Sequence, residues 1–572
     1  MKPDPIINIF AENIHFSKKK NHSLYNHKEF SFKSRAKFFI LIPSIAIVIL
    51  FFQLFRLTIV RGDYYKSLSL NNRLKEIVYP APRGTIVDRG ENVIVRNKPG
   101  YLAKVACGEE DCFRKISHDQ ALEIESQGKQ IPIETEISRE YVHPFAFSHV
   151  LGITGNVSEK ELGKVHCGEP LGYQDVLGRD GVEEVFDCRL QGKYGKELVE
   201  INASGNPIKT LSKVEALSGE RLVLSLDNKI QIKAYDLIKD KKGAVVAHIP
   251  QTGEILALVS SPSYDISKFS DNLSQTEFEE LLNDKDKPLF NRAIAGVYPP
   301  GSTYKPIIAA GALEEGSITK DTLFEDKGFI VAGSSKFHNW YFTQYGKTEG
   351  EVDIVKALFR SNDIFFYKTG EYLGPEKLSF WSKKFNFGKK LGIELPGEAE
   401  GLVPDPTWKE KTLGEKWYLG DTYNVSIGQG NTLATPLQIA FANGVFANNG
   451  TLCRPTILKT DNCKKIRENL VSSETLNLVR EGMTKSCLEG GTAFPFFNFA
   501  VEERIIQVGC KTGTAEFGSE HKTHAWFTVF APAVNPQIMV TVLLEEGGEG
   551  SAQAAPIAKD LLTDYFTTHI QK

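Results

Sequence analysis

A run of residues with no charge and mostly apolar side chains covers Phe38–Phe55. As a helix it would be about 27 Å long, which is close to the thickness of the hydrocarbon core of a bilayer. The alternatives are a buried core helix and a secretory signal peptide, but Arg56–Arg61 offers no small-residue cleavage site. The pattern therefore predicts one membrane anchor over residues 38–60.

Basic residues are concentrated before this run. They are Lys18, Lys19, Lys20, Lys28, Lys33, Arg35 and Lys37. Positively charged segments beside a membrane helix stay on the cytoplasmic side. We therefore expect residues 1–37 to form a cytoplasmic tail and the chain beyond residue 60 to lie on the extracytoplasmic side.

Short alternating stretches separated by Gly and Pro follow over residues 61–220. The segment Arg73–Arg89 alternates apolar and polar positions around a turn, which is typical of strands. Neither this segment nor Gly178–Gly192 carries recognisable catalytic chemistry, so we expect their charged residues to form structural ion pairs. The region is predicted to be a β-rich, non-catalytic pedestal.

The pattern changes near residue 221, where a second unit begins. Gly243–Ser260 contains two apolar strands about a Pro-Gln-Thr-Gly turn, which is a hairpin signal. Helices and strands then mix as far as a last helix near Ala555–Phe566. This order predicts an α+β or α/β domain over residues 221–572, with a sheet built from segments that are distant in sequence.

Composition narrows the function classes only slightly. The 572 residues suffice for two to four domains, and 41% hydrophobic with 24% charged residues is ordinary for globular proteins. A net charge of -3 gives no basic excess, so we predict no nucleic-acid partner.

All eight cysteines follow the predicted anchor. They are Cys107, Cys112, Cys167, Cys188, Cys453, Cys463, Cys487 and Cys510. An oxidising compartment is compatible with disulfides, and Cys107 with Cys112 and Cys453 with Cys463 are the nearest pairs, but the sequence leaves the connectivity open. Neither cysteines nor histidines cluster at ligand spacing, so no metal site is predicted.

Ser302 and Lys305 are the first candidates for chemistry. They follow a Pro-Pro-Gly turn and precede the apolar run Pro306–Leu313. If that run is a helix, both residues lie near its start, where developing negative charge is stabilised. A serine hydroxyl needs a neighbour that takes its proton, and a lysine whose pKa is lowered by burial or by another cation can do so. The pair alone is common on surface helices.

Two further stretches supply what Ser302 needs: Ser361-Asn362-Asp363 and Lys511-Thr512-Gly513-Thr514. A hydroxyl at Ser361 can relay a proton between Lys305 and an amine. The charge of Lys511 would help to keep Lys305 neutral and would bind a substrate carboxylate.

The residues after Lys511 complete this hypothesis. Thr512 can donate a hydrogen bond to the same carboxylate, and Gly513 lets a strand edge approach the substrate closely. The backbone N–H groups of Ser302 and Thr514 can form an oxyanion hole. Each motif alone is a common turn or strand end, but chance would rarely place all three in this order behind an anchor.

These motifs resemble those of class B penicillin-binding proteins. Asn291–Pro306 is similar to the nucleophile motif of the family, and Pro82–Arg89 is similar to its pedestal signature. The resemblance extends from the anchor to the last helix.

Within the family, the chain most resembles the elongation-type group, penicillin-binding protein 2. Aspartate stands at Asp363 where other groups have asparagine. The other stretches that are similar to this group are Gly420–Gly430, Thr435–Gln438, Leu395–Glu398 and Gly401–Pro404.

The resemblance implies a fold and an activity. The fold would be one N-terminal transmembrane helix, a pedestal of the dimerisation type, and a β-lactamase-like transpeptidase domain whose central antiparallel sheet is flanked by helices. The activity would be D,D-transpeptidation of peptidoglycan during cell-wall elongation, through an acyl-enzyme on Ser302, at the inner membrane of a bacterium. No cofactor is implied.

The resemblance also implies site residues and partners. The catalytic residues would be Ser302, Lys305, Ser361 and Lys511, and the substrate-binding residues Asp363, Thr512, Gly513 and Thr514. The partners would be stem peptides, lipid-linked glycan strands, β-lactams, a SEDS-type glycosyltransferase and other proteins of the elongation complex.

Three alternatives stay open at this point. One is a division-type transpeptidase. Another is a hydrolase, either a D,D-carboxypeptidase or a β-lactamase, in which water resolves the acyl-enzyme. The third is a non-catalytic β-lactam sensor, which the intact Ser302, Lys305, Ser361 and Lys511 disfavour.

Two features of the sequence depart from the family pattern, which are the length of the pedestal and the residue before Lys511. Little chain separates Gly100 from His143–Gly152, so the pedestal is short and leaves no room for a large insert. Cys510 stands where a small apolar residue is usual, and we expect a buried strand cysteine there rather than a redox centre.

Overall fold

The computed structural model of the chain describes residues 32–71, 73–79, 81–107, 110–127, 131–172, 175–202, 206–270, 273–518 and 522–569. Most of the predicted cytoplasmic tail, including Lys18–Lys20, lies outside these residues. Two compact units are present, one comprising residues up to 77 with 197–213, and the other residues 78–196 with 214–572.

The first unit begins with a long apolar helix. It covers Phe32–Phe55 and continues as a π-helical turn over Arg56–Val60. Within the described residues, Phe39–Val60 is the one helix long and apolar enough to cross a membrane, and its side chains are exposed in the isolated chain. This agrees with the predicted anchor.

A short helix, Gly62–Asn71, and a three-stranded sheet follow. The middle strand of the sheet is Gly195–Ile201, and the outer strands are Leu74–Tyr79 and Pro207–Val214.

The second unit holds the rest of the predicted pedestal. Its five-stranded sheet comprises Leu222–Val223, Ile86–Val87, Val93–Cys107, Glu110–Ile116 and Ile133–Tyr141. The shorter elements are helices His118–Ser126, Ser148–Leu151, Gly181–Val185 and Asp187–Leu190, and strands Thr154–Asn156, Val165–His166, Glu169–Pro170 and Val176–Gly178. The β-rich interpretation of this region is confirmed.

Buried ion pairs stabilise the pedestal, as the sequence predicted. Arg83 Nε donates to Glu183 at 2.6 Å, and its terminal nitrogen contacts Asp187 at 2.5 Å. Arg139 approaches the other oxygen of Glu183 at 2.9 Å. All four side chains are at least nine-tenths buried, so each charge requires its partner.

A five-stranded antiparallel sheet forms the centre of the region from residue 243 onward. Its strands are β1 (Gly243–His248), β2 (Ile255–Ser261), β3 (Gly509–Phe517), β4 (Lys522–Ala531) and β5 (Ile538–Leu544). Their order is β2-β1-β5-β4-β3, so β3 is an edge strand, and the predicted hairpin Gly243–Ser260 is confirmed.

Helices cover both faces of this sheet. Those that build the site are α1 (Lys305–Glu314), α2 (Ile354–Phe359), α3 (Asp363–Leu373) and α4 (Ser473–Ser486). The others are Asn228–Ile238, Ser267–Ser270, Gln275–Asn283, Trp340–Tyr345, Pro375–Lys384, Pro406–Leu413, Leu419–Ser426, Pro436–Ala447 and Ala555–His569.

Alternate residues of the sheet enter two different cores. Val246 belongs to the same buried cluster as Ile308 of α1, whereas Val245 belongs to the cluster that contains Leu561 of the last helix. This period of two explains why β1 and β5 are almost continuously apolar, since both of their faces are buried. The sheet is therefore packed on both faces, and β3 is one of its two edge strands.

Three disulfides are present among the described side chains: Cys167–Cys188, Cys453–Cys463 and Cys487–Cys510. The predicted near pair Cys453–Cys463 is thus confirmed, while the side chains of Cys107 and Cys112 lie outside the description. Cys510 is a buried strand residue, as expected, but it is bonded to Cys487 after the end of α4.

Candidate active site

The segment with Ser302 forms a single 3-10 turn, Gly301–Tyr304, that leads into α1. Gly301 has a φ of 54°, and a Cβ atom on it would lie 2.9 Å from the carbonyl oxygen of Thr514. Glycine is needed here because the backbone is left-handed and passes so close to β3. Ser302 is therefore beside the edge strand, at the start of the helix, as the sequence predicted.

Lys305 is completely buried, at the first position of α1. Its Nζ donates to Asp363 Oδ1 at 2.6 Å, to the Ser361 carbonyl at 2.7 Å and to Ser361 Oγ at 3.3 Å. Burial lowers the pKa of Lys305, and the carboxylate of Asp363 opposes that shift.

Ser361 occupies a strained position between α2 and α3. Its φ is 55°, which is uncommon for a residue other than glycine. The backbone on either side is held by hydrogen bonds from Ser361 N to Leu358 and from Asn362 N to Ala357. The result is a hydroxyl that lies between two lysines.

Lys511 is the second of these lysines. It is completely buried on β3, and its Nζ donates to Ser361 Oγ at 2.8 Å and to the carbonyl of Thr512 at 3.1 Å. Burial lowers its pKa well below the ordinary value for lysine, and the charge of Lys305 adds to this.

The sequence offered two causes for a lowered Lys305 pKa, which are burial and the charge of Lys511. In the structure, burial is the leading cause for both lysines, and Asp363 raises the pKa of Lys305. The pKa values of the two lysines are therefore affected differently, because only Lys305 has a carboxylate partner at 2.6 Å.

The structure places Asp363 against the lysine rather than toward an open surface. Its Oδ1 accepts from Lys305 Nζ, and its Oδ2 accepts from the backbone N–H of Trp340 at 2.9 Å. A direct contact of Asp363 with substrate stays a prediction. The ion pair with Lys305 was missed, although an acidic residue two positions after Ser361 was its visible signal.

Three residues of β3 follow Lys511. Thr512 Oγ1 lies 2.9 Å from Thr492 Oγ1, and the Thr514 side chain is exposed. A Cβ atom on Gly513 would lie 2.9 Å from Thr303 Cγ2 and 3.0 Å from Trp526 Cβ. Gly513 thus permits the nucleophile segment itself to pack on β3, a role that the sequence pattern does not reveal.

Lys305, Ser361, Asp363 and Lys511 are therefore joined by direct hydrogen bonds, and Ser302 and Thr514 lie on adjoining segments. Trp340 and Thr492, which touch Asp363 and Thr512, were not predicted. They act through a backbone N–H and a common hydroxyl, and neither leaves a pattern in the sequence.

One group of metal-type donors is present in the described part of the chain. It consists of His166, Cys167 and Cys188, and its two sulfur atoms are joined in a disulfide. It is separate from the serine–lysine centre in sequence and includes none of its residues.

An antiparallel sheet between helices, with a serine and two buried lysines beside its edge strand, defines the class of penicillin-recognising serine proteins. The chain belongs to the penicillin-binding protein family: residues 243–563 match the penicillin binding protein transpeptidase domain, and residues 108–224 match the penicillin-binding protein dimerisation domain.

Relatives resemble the chain over most of its length. A Haemophilus influenzae protein named peptidoglycan D,D-transpeptidase MrdA is 32% identical, with 91% of this chain and 89% of that protein covered. An Escherichia coli protein of the same name is 30% identical, with 88% and 89% covered.

Among solved structures, a complex between penicillin-binding protein PBP2 and MreC from Helicobacter pylori is similar. Its TM-score is 0.75 at 29% identity, with 86% of this chain and 99% of that chain covered. These matches agree with the resemblance to penicillin-binding protein 2.

Proposed function

We propose that this protein is a peptidoglycan D,D-transpeptidase that works through an acyl-enzyme on Ser302. The observation that carries the proposal is the convergence of two buried lysines, Lys305 and Lys511, on the hydroxyl of Ser361. Burial of two amines around one hydroxyl costs free energy of folding, so a purely structural role does not account for this arrangement. We infer that Lys305, Ser361 and Lys511 form a path for protons beside the nucleophile.

Acylation uses this path. Neutral Lys305 takes the proton of Ser302 as the serine oxygen bonds to the carbonyl carbon of the penultimate D-alanine. The backbone N–H groups of Ser302 and Thr514 stabilise the oxyanion. The peptide bond to the terminal D-alanine then breaks, and Ser361 passes a proton to the leaving amine.

Deacylation reverses these roles. The amine of a neighbouring stem peptide attacks the ester carbonyl, and its proton passes through Ser361 and Lys305 to the oxygen of Ser302. The bond from Ser302 to the acyl group then breaks, and the new amide is released. Lys511 and Thr512 hold the carboxylate of the donor peptide, and Gly513 and Asp363 complete the substrate-binding residues. β-Lactams acylate the same serine.

We further propose the role in cell-wall elongation. The supporting comparison is that penicillin-binding protein 2 of Helicobacter pylori is solved in a complex with MreC. A structure titled as a peptidoglycan synthase complex that coordinates polymerization and crosslinking also resembles this chain, with a TM-score of 0.75 at 27% identity. A SEDS-type glycosyltransferase is the proposed membrane partner.

The proposed topology has residues 1–37 in the cytoplasm and 38–60 in the inner membrane of a bacterium. The pedestal over 61–220 and the transpeptidase domain over 221–572 then lie in the periplasm. The apolar helix Phe39–Val60 supports an anchor, and the charge before it supports this orientation.

Labelling with a fluorescent penicillin tests the activity. The full chain should take up a covalent label that persists for many minutes, and Ser302→Ala should take up none. Absence of label in the parent would refute the proposed enzymatic activity. Rapid loss of label would indicate a β-lactamase instead.

A further inference from the structure

A buried carboxylate outside the three motifs is connected to one of them. Asp326 ends the strand Phe324–Asp326 and is 2% exposed. Its Oδ2 accepts from Asn339 Nδ2 at 2.7 Å, from Asn362 Nδ2 at 2.9 Å and from the N–H of Glu349 at 3.1 Å. Its Oδ1 accepts from the N–H of Gly328 at 2.7 Å.

Asn339 and Asn362 connect Asp326 to the backbone of the segment Ser361-Asn362-Asp363 and the start of α3. Both are fully buried. Asn339 Oδ1 accepts from the N–H of Asp363 at 3.1 Å, and Asn362 Oδ1 accepts from the N–H of Phe365 at 2.9 Å as the cap of α3. Each asparagine therefore uses its amide nitrogen on Asp326 and its oxygen on the segment that follows Ser361.

This segment needs such support, because its conformation is not a relaxed one. Ser361 is left-handed, and its hydroxyl and carbonyl both accept from Lys305. A strained residue persists only where its surroundings fix it from several sides. The chain also places Trp340, whose N–H binds Asp363, directly after Asn339.

We propose that Asp326 is a positioning residue for the acyl transfer, which holds Ser361 and Asp363 against Lys305 through Asn339 and Asn362. This inference rests on the proposed function. Asp326 is 2% exposed, and its four hydrogen bonds reach none of Ser302, Lys305 and Lys511, so it acts only through the geometry of the motif.

Asp326→Asn tests the proposal with little change in volume. The carboxylate accepts four hydrogen bonds, and an amide in its place always sets an N–H₂ group against at least one donor. The motif should shift, and a misplacement of about 1 Å costs about 100-fold in rate. We expect the second-order rate constant of acylation by fluorescent penicillin to fall by about that factor in the full chain.

The pH profile separates positioning from plain destabilisation. If Asp363 moves away from Lys305, the lysine loses the group that raises its pKa. The rising limb of acylation against pH should then move to lower pH. A variant that is only less stable would keep the position of this limb.

Asp405→Asn is the matched control. Asp405 is also an acceptor for a backbone N–H, that of Trp408 at 2.8 Å, but it caps the helix Pro406–Leu413 and has no bond to the motif. Its variant should lose stability while its folded fraction is acylated at the parental rate. Asn339→Ser repeats the test without altering Asp326, and should show the same two effects.

Some outcomes would overturn the inference alone. They are acylation of folded Asp326→Asn or Asn339→Ser at the parental rate, or a loss of rate in both with an unmoved pH limb. If the parent itself is never labelled, the proposed function fails, and this inference fails with it.

Discussion

At the scale of residues, the site depends on the protonation states of one carboxylate, that of Asp363, and two amines, those of Lys305 and Lys511. Lys305 and Lys511 are both buried and both have a lowered pKa, but only Lys305 has Asp363 within 2.6 Å. The carboxylate accepts a hydrogen bond from Lys305, and it also opposes the neutral form that the proposed general base requires. The pH dependence of the acylation rate therefore tests most directly how Asp363 affects the pKa of Lys305.

Asp363→Asn should move that dependence in a defined direction. The substitution removes the carboxylate that raises the Lys305 pKa, so the pKa falls further below its ordinary value. Because the proposed acylation requires neutral Lys305, the rate should rise with pH at lower pH than in the parent. The plateau should fall as well, since the amide holds the lysine less firmly.

Stopped-flow acylation between acidic and alkaline pH measures both effects. Lys368→Gln, which removes an exposed partner of Glu371 on the same helix, is the control and should leave the profile unchanged. A rising limb that stays in place or moves to higher pH in Asp363→Asn would contradict this account of Lys305.

At the scale of elements, a disulfide joins the edge strand of the sheet to another segment directly before Lys511, a residue of the proposed active site. Cys510 precedes Lys511 on β3, and its bond to Cys487 ties this strand to the end of α4. The hydrogen bond between Thr492 and Thr512 joins the same two segments. The edge strand is thereby held to the segment that follows α4 by one covalent bond and one hydrogen bond.

Replacing Cys487 and Cys510 together by alanine should weaken both folding and acylation. Loss of a disulfide across a loop of this length costs about 3 kcal/mol of unfolding free energy. Lys511 and Thr512 follow directly, so the acylation rate constant of the folded protein should fall as well. Denaturant titration and penicillin labelling measure the two effects.

The pair Cys453–Cys463 provides the comparison. Its removal should also reduce stability, because it closes a loop of 10 residues. The acylation rate should stay at the parental value, since these cysteines do not flank a motif. Equal rate losses in both double variants would show that the position of the disulfide beside Lys511 is unimportant.

Sequence patterns predicted those features that have a local signal. The anchor helix, the hairpin Gly243–Ser260 and the start of the helix at Ser302 follow from periodicity and turn residues. The partner of Cys510 and the pair Lys305–Asp363 did not, because they join distant segments. The left-handed backbone of Ser361 was also unforeseen, since a serine gives no sign of positive φ before its neighbours are known.

At the scale of the whole molecule, the predicted pedestal is split between two compact units. Residues 78–196 share a continuous apolar core with the segments that form the site, as Phe147 and Leu226 illustrate. Backbone contacts also connect them, including the parallel pairing of Ile86 with Leu222. The middle of the pedestal is therefore an integral part of the catalytic unit rather than a detachable stalk.

Depletion of the protein in its host tests the cellular role. An elongation enzyme supplies cross-links along the cylinder of a rod, so cells that lose it should become round. The parental gene should restore the rod, and the Ser302→Ala gene should not. Filaments of undivided cells would favour the division-type alternative.

The order of the central sheet has a consequence for how the protein is made. In β1, Val245 pairs with Val542 of β5, and almost the whole domain lies between them in sequence. In the proposed topology, a chain that crosses the membrane from its N-terminal side delivers β1 and β2 long before β5, the second neighbour of β1. Until β5 arrives, the apolar edge of β1 is open to wrong pairing. If the proposed topology is correct, export of this protein should therefore depend on factors that shield unfinished sheets, and Ser302 should acquire reactivity only after the last strands have crossed.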